Sequence, residues 1–164
     1  MRQGPTVAVI DEQSAVAVNV AHLSALARSV LVDHGAAGGE LSLTFVDEDV
    51  MADLNQRYLD GDGPTDVLAF PLDGLPDAEP PADSAVPTLL GDVIVCPSVA
   101  ERNAGARSVA IGDELALLVV HGVLHVLGMD HAEPGQALEM QSAERRLLAG
   151  LHPPSDDGGG AGSP

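Results

Sequence analysis

The chain has 164 residues, enough for one domain with its own core, and its 45% apolar content is ordinary for a globular protein. Two Phe, one Tyr and no Trp leave Ala, Val and Leu to build that core. Seven basic residues, all arginine, stand against 25 acidic ones for a net charge of −18, which repels polyanions and taken alone argues against nucleic acid and anionic membranes. The single cysteine, Cys96, excludes an internal disulfide and follows an apolar run, so it reads as a small buried core residue. Residues 1–5 lack a signal-peptide start. The longest apolar stretch, 115–127, is too short to span a bilayer and carries two His, so the expectation is a soluble cytoplasmic protein.

Residues 6–10 form a short β-rich run, a predicted strand. From 16 to 34, Val16, Val20, Leu23, Leu26, Ala27, Val30 and Leu31 recur at helical spacing, with Gly35 as the stop. Leu41, Leu43 and Phe45 alternate with Ser42 and Thr44, a strand with one buried face. Asp47, Glu48 and Asp49 suit a helix start, and that helix runs to about Tyr58 with Val50, Met51 and Leu54 inward. Residues 60–64 are a turn by composition, 67–70 a strand closed by Pro71, and 73–87 a Pro-, Asp- and Ala-rich mobile loop. A strand over 89–96 is interrupted early by Gly91, with Asp92 ending a turn into it. Pro97 opens a helix to about Ala104. Residues 113–127 form a helix that is apolar almost all round and therefore central. A last amphipathic helix, 134–148, carries Ala137, Met140, Glu144, Leu147 and Leu148 near one face. The pattern β-α-β-α-β-β-α-α-α predicts a single α/β (α+β) domain over residues 1–150, a mixed four-stranded sheet packed by about five helices. Residues 151–164 read as an acidic, Gly-rich tail, expected to be disordered.

The chemistry concentrates in His121-Gly-Val-Leu-His125-Val-Leu-Gly128-Met-Asp130-His131. His121 and His125, four residues apart, share one helix face one turn apart. Gly128 can adopt the left-handed conformation that ends a helix, so the chain folds back and brings His131 to the same point. Three His ligands leave one zinc position open for a water, whose pKa the ion lowers to about 7. As buried core histidines instead, two imidazoles in an apolar helix would each need a hydrogen-bond partner. His22, His34 and His152 lack such company and read as surface or capping residues. The spacing also resembles the metzincin protease signature, H-E-x-x-H-x-x-G-x-x-H, but Gly122 stands where that family carries its catalytic Glu.

With these residues in view, the chain resembles the YbeY family of bacterial rRNA-maturation endoribonucleases. Pro64-Thr65-Asp66-Val67-Leu68-Ala69-Phe70-Pro71 resembles the family's P-T-D-V-L-S-F-P. Leu90-Gly91-Asp92-Val93-Ile94-Val95-Cys96-Pro97 resembles its L-G-D-I-x-I-C, and the His121 to His131 segment its H-G-x-L-H-x-x-G-x-D-H. Met140 and Glu144 fall on its M-x-x-x-E. The resemblance implies one zinc per chain on His121, His125 and His131 in a metzincin-like three-His site. It implies a metal-dependent single-strand endoribonuclease acting in 16S rRNA 3′-end maturation and ribosome quality control, with ribosomal RNA, the ribosome or ribosomal proteins as partners. Neither a membrane nor DNA is expected. The chain departs from the pattern at Leu59, where many relatives carry Arg, at Ala69 for Ser and at Met129 for Tyr.

In the catalytic reading, zinc acts as Lewis acid on a phosphate oxygen or supplies hydroxide from its bound water. Asp66 is a candidate base or partner of a ligating His, and Asp130 a candidate orienting group beside His131. Thr65 and Arg57 are candidate substrate contacts. Binding a polyanion needs a local basic patch, for which Arg102, Arg107, Arg145 and Arg146 are the candidates. Two other readings remain. One is a metallopeptidase-like zinc hydrolase; the other is a non-catalytic ribosome-associated protein with a structural zinc, for which a fourth protein ligand would be expected.

Overall fold

The computed structural model describes residues 4–36, 38–72, 89–128 and 134–152. Its elements run β1 (Thr6–Asp11), α1 (Val20–Asp33), β2 (Glu40–Phe45), α2 (Glu48–Leu59), β3 (Val67–Pro71), β4 (Leu89–Val95), α3 (Pro97–Arg107), α4 (Ile111–Val126) and α5 (Pro134–Leu151). This is the predicted order. The four strands form one mixed sheet, β1-β2-β4-β3: β1, β2 and β4 are parallel, and β3 lies antiparallel to β4 at the edge. Pro71, which has no N–H to give a ladder, is tolerated on such an edge strand.

Alternation along the strands sorts the two faces. Leu41, Leu43 and Phe45 of β2 and Val93 and Val95 of β4 are fully buried in one large aliphatic core with α1, α4 and α5. On the opposite face Leu68 of β3 joins Met51 of α2 and Val99 of α3 in a smaller cluster. Cys96 is buried in that cluster as well, and burial pushes its thiol pKa up. The core is built from Leu, Val and Ala, as the shortage of aromatic residues requires, and Phe45 is its one fully buried ring among the described residues.

Several boundaries differ from the periodicity. Helix α1 begins at Val20, because the Asn19 side chain accepts from the His22 backbone N–H at 3.1 Å. Ahead of it, Gln13 closes a local loop onto both backbone groups of Val16, which is buried without being helical. Val50 points outward at 44% exposure, since α2 presents Met51 and Leu54 to the smaller cluster. Asp92 lies within β4, opposite Ser42 and Phe70 on the face away from the large core, and does not end a turn. Helices α3 and α5 each run three residues past their predicted ends. The predicted loop at 73–87 lies outside the described residues; the predicted tail begins later than position 151, since Leu151 ends α5 and His152 is bonded to His22 and Asp113, and residues 153–164 lie outside the described residues.

Two histidines expected as isolated surface residues are joined. His22 Nε2 of α1 meets His152 Nδ1 at 2.7 Å, and His152 Nε2 meets Asp113 Oδ1 of α4 at 2.8 Å. Both rings are partly buried, so this chain of polar bonds clasps the end of α5 to α1 and α4. His34, by contrast, is exposed at the C-cap of α1, as read from the sequence.

Candidate functional site

The site is organised by α4. Asp113 and Glu114 occupy its first turn, where carboxylates suit the helix N-terminus, and ten of its sixteen residues are buried. Two glycines let it lie close on the sheet. A Cβ at Gly91 would meet the Phe70 carbonyl oxygen at 2.7 Å and Val126 Cγ1 at 2.8 Å; one at Gly122 would meet Val93 Cγ1 at 2.6 Å. Gly122 therefore faces the sheet, and His121 and His125 stand beside that contact, one turn apart and half-buried.

Helix α5 completes the setting of His121. Its buried face carries Met140, Glu144 and Leu147, and the Glu144 carboxylate meets His121 Nδ1 at 2.5 Å. A ligating imidazole is commonly held in this way by a carboxylate on its other nitrogen, which fixes tautomer and ring orientation. The bond commits Nδ1, so a metal on this ring would be taken by Nε2. The sequence placed Glu144 on the apolar face of α5 without assigning it a partner; a carboxylate on a buried face was the available signal. Replacing Glu144 by Gln is expected to leave the fold in place and weaken zinc binding about 10- to 100-fold. Competition against a calibrated chelator measures this, and an unchanged affinity would remove Glu144 from the site.

At the end of α4, Gly128 adopts φ +100° and its N–H reaches the His125 carbonyl at 3.0 Å, the left-handed stop expected there. His131 and Asp130 lie outside the described residues. Among the described residues no group of three or more His, Cys, Asp or Glu is arranged to hold a metal. The two described imidazoles, one oriented by a buried carboxylate, suit zinc in donor type and spacing.

Asp66, just before β3, accepts from Asn103 Nδ2 at 3.3 Å and from the Thr65 hydroxyl at 3.5 Å, while its backbone carbonyl takes the Cys96 N–H. It tethers the turn before β3 to α3. Four of the candidate arginines are each paired with a carboxylate. Arg57 pairs with Asp53 along α2, and Arg102 forks onto Glu48 at 2.9 and 3.0 Å, holding that carboxylate below its usual pKa. Arg146 reaches Asp33 of α1, and Arg107 reaches Glu114 at 2.7 Å. Glu114 and Asn103 were not singled out by sequence; both are polar residues drawn into the contact between α3, α4 and the turn before β3.

The family model described as Endoribonuclease YbeY matches residues 8–152. The chain belongs to the YbeY family of endoribonucleases. Among its YbeY relatives, one from Salinispora tropica is 48% identical over 145 residues, covering 85% of this chain and 92% of that protein. One from Mycolicibacterium smegmatis is 45% identical over 143 residues, covering 85% and 79%. The solution structure of TM1509 from Thermotoga maritima superposes with a TM-score of 0.61 at 27% identity over 89% of each chain. The YbeY-like motifs sit on adjoining elements: 64–71 spans the turn into β3 and β3 itself, 90–97 spans β4 and the first residue of α3, and the His segment begins on the last turns of α4.

Proposed function

We propose that this chain is a zinc-dependent endoribonuclease of single-stranded RNA, acting in the cytoplasm in 16S rRNA 3′-end maturation and ribosome quality control, in contact with the ribosome. The observation that carries the metal part is the His121–Glu144 bond beside His125 on α4. Family membership supports the RNA part. In this reading His121, His125 and His131 hold the ion. Zinc supplies Lewis acidity toward a phosphate oxygen. Glu144 orients His121, and the buried packing of α4 on β4 keeps the two helical imidazoles in register. Asp66, engaged by Asn103 and Thr65, holds the turn before β3.

The peptidase-like alternative asks for a carboxylate at position 122. Gly122 supplies none, and its contact with Val93 leaves no room for a longer side chain. The test is metal content together with cleavage of a single-stranded RNA and of casein, on chain purified without metal and then given zinc. About one zinc per chain with RNA cut and casein intact is expected. Zinc bound with casein cut would turn the reading to a peptidase, and zinc bound with neither cut to a structural ion.

A further inference from the structure

The net charge of −18 poses a problem for any RNA-cutting reading, and the ion pairs offer an answer. In three of the four described arginine–carboxylate pairs the acid is itself exposed: Asp53 at 55%, Glu48 at 40% and Asp33 at 39%. A phosphate approaching Arg57, Arg102 or Arg146 meets that carboxylate at the same surface. Arg107 differs. Its partner, Glu114, is 3% exposed, while the Arg107 side chain is 54% exposed. The acid lies behind and the guanidinium in front.

Glu114 is a buried carboxylate paired with Arg107. Burial raises its pKa, and nearby Asp66 pushes in the same direction against the pull of Arg107. A buried ion pair of this kind often gains nothing over well-packed apolar residues, but it fixes the orientation of its partner. The orientation is useful here. Glu114 precedes His121 by seven residues and His125 by eleven, so all three lie within about 20° of one line along α4. The rise from 114 to 121 is about 10 Å. Arg107 has five N–H donors in a planar fork, and the bond to Glu114 uses Nη1.

We propose that Arg107, backed by Glu114 on the helix line that carries His121 and His125, binds a backbone phosphate of the RNA. This assignment rests on the RNA-cutting reading above. It makes Arg107 a substrate-binding residue and Glu114 the group that positions it.

The test uses the zinc-loaded full chain and a fluorescent single-stranded oligoribonucleotide, comparing wild type with Arg107→Gln, Arg107→Lys and Glu114→Gln between 50 and 200 mM salt. For Arg107→Gln, KM is expected to rise about tenfold with kcat little changed. The slope of log affinity against log salt should fall by about 0.7, the loss of one phosphate contact on a single strand. Arg107→Lys should restore the slope and only part of the affinity, because a point charge replaces a fork. Glu114→Gln should keep the slope and weaken affinity through a less ordered Arg107. If Arg107→Gln shifts only the unfolding midpoint, with KM and salt slope as in wild type, the pair is a staple between α3 and α4 and the assignment fails. If the wild type neither binds nor cuts RNA, the RNA-cutting reading itself falls and takes this one with it.

Discussion

Changing His125 to Ala is expected to take the chain from about one bound zinc to nearly none and to lower RNA cleavage on the order of 10³-fold. The second figure follows from losing several kcal/mol of charge stabilisation at about 1.4 kcal/mol per decade. Two remaining imidazoles do not make a tight site for an ion that takes three or four protein ligands. The fold is expected to survive. Position 125 lies in the last turn of α4, the side chain is half-buried, and Ala is the best helix former. Helix content by circular dichroism should therefore match the wild type. Added zinc is expected to raise the unfolding temperature of the wild type and not of the variant, since only a native-state ligand stabilises by mass action. Retention of zinc and of cleavage by the variant would overturn the site as drawn here.

Gly122→Ala is expected to damage both fold and site while touching no ligand. Its Cβ would sit 2.6 Å from Val93 Cγ1 and 3.2 Å from Cγ2. Val93 is fully buried and, being β-branched, cannot turn its methyl groups aside cheaply. The helix must lift from the strand, an overpacking cost of about 1–3 kcal/mol. For a chain of this size that lowers the unfolding midpoint by several degrees, at about 2–4 °C per kcal/mol. Because His121 adjoins the clash, zinc affinity should fall with it. Glu at the same position recreates the peptidase-like H-E-x-x-H string, yet it should destabilise further and confer no cleavage of casein. A Gly122→Ala chain with wild-type melting and zinc affinity would show that the close packing of α4 on β4 does not set the site.

The nine elements were readable in order because each carried its own local signal: period-two alternation in β2, Pro97 opening α3, and an apolar surface all round α4. The His pair was readable for the same reason, its spacing being a property of one helix. What the sequence hid depends on contacts between distant segments. Val16 continues the apolar pattern of α1 and is buried, yet it is held by Gln13 outside the helix. His22 finds His152 across 130 residues. The arginines looked like a candidate patch near the metal helix, and their carboxylate partners on α2, α1 and α4 emerge only in three dimensions. Glu144 was in view as part of a motif, but its bond to His121 spans 23 residues and two helices.

That bond has a consequence for how the protein is made. The sheet, α1 and the two helical imidazoles are all encoded before residue 128, whereas the carboxylate that sets His121 arrives with α5 and the clasp at His152 comes after it. During synthesis, at about 5–20 residues per second, the scaffold is laid down first and the carboxylate that meets His121 follows it. A polypeptide interrupted before α5 would lack the Glu144 carboxylate that meets His121, so on the zinc reading proposed above the order of the helices delays RNA cleavage until α5 has been made.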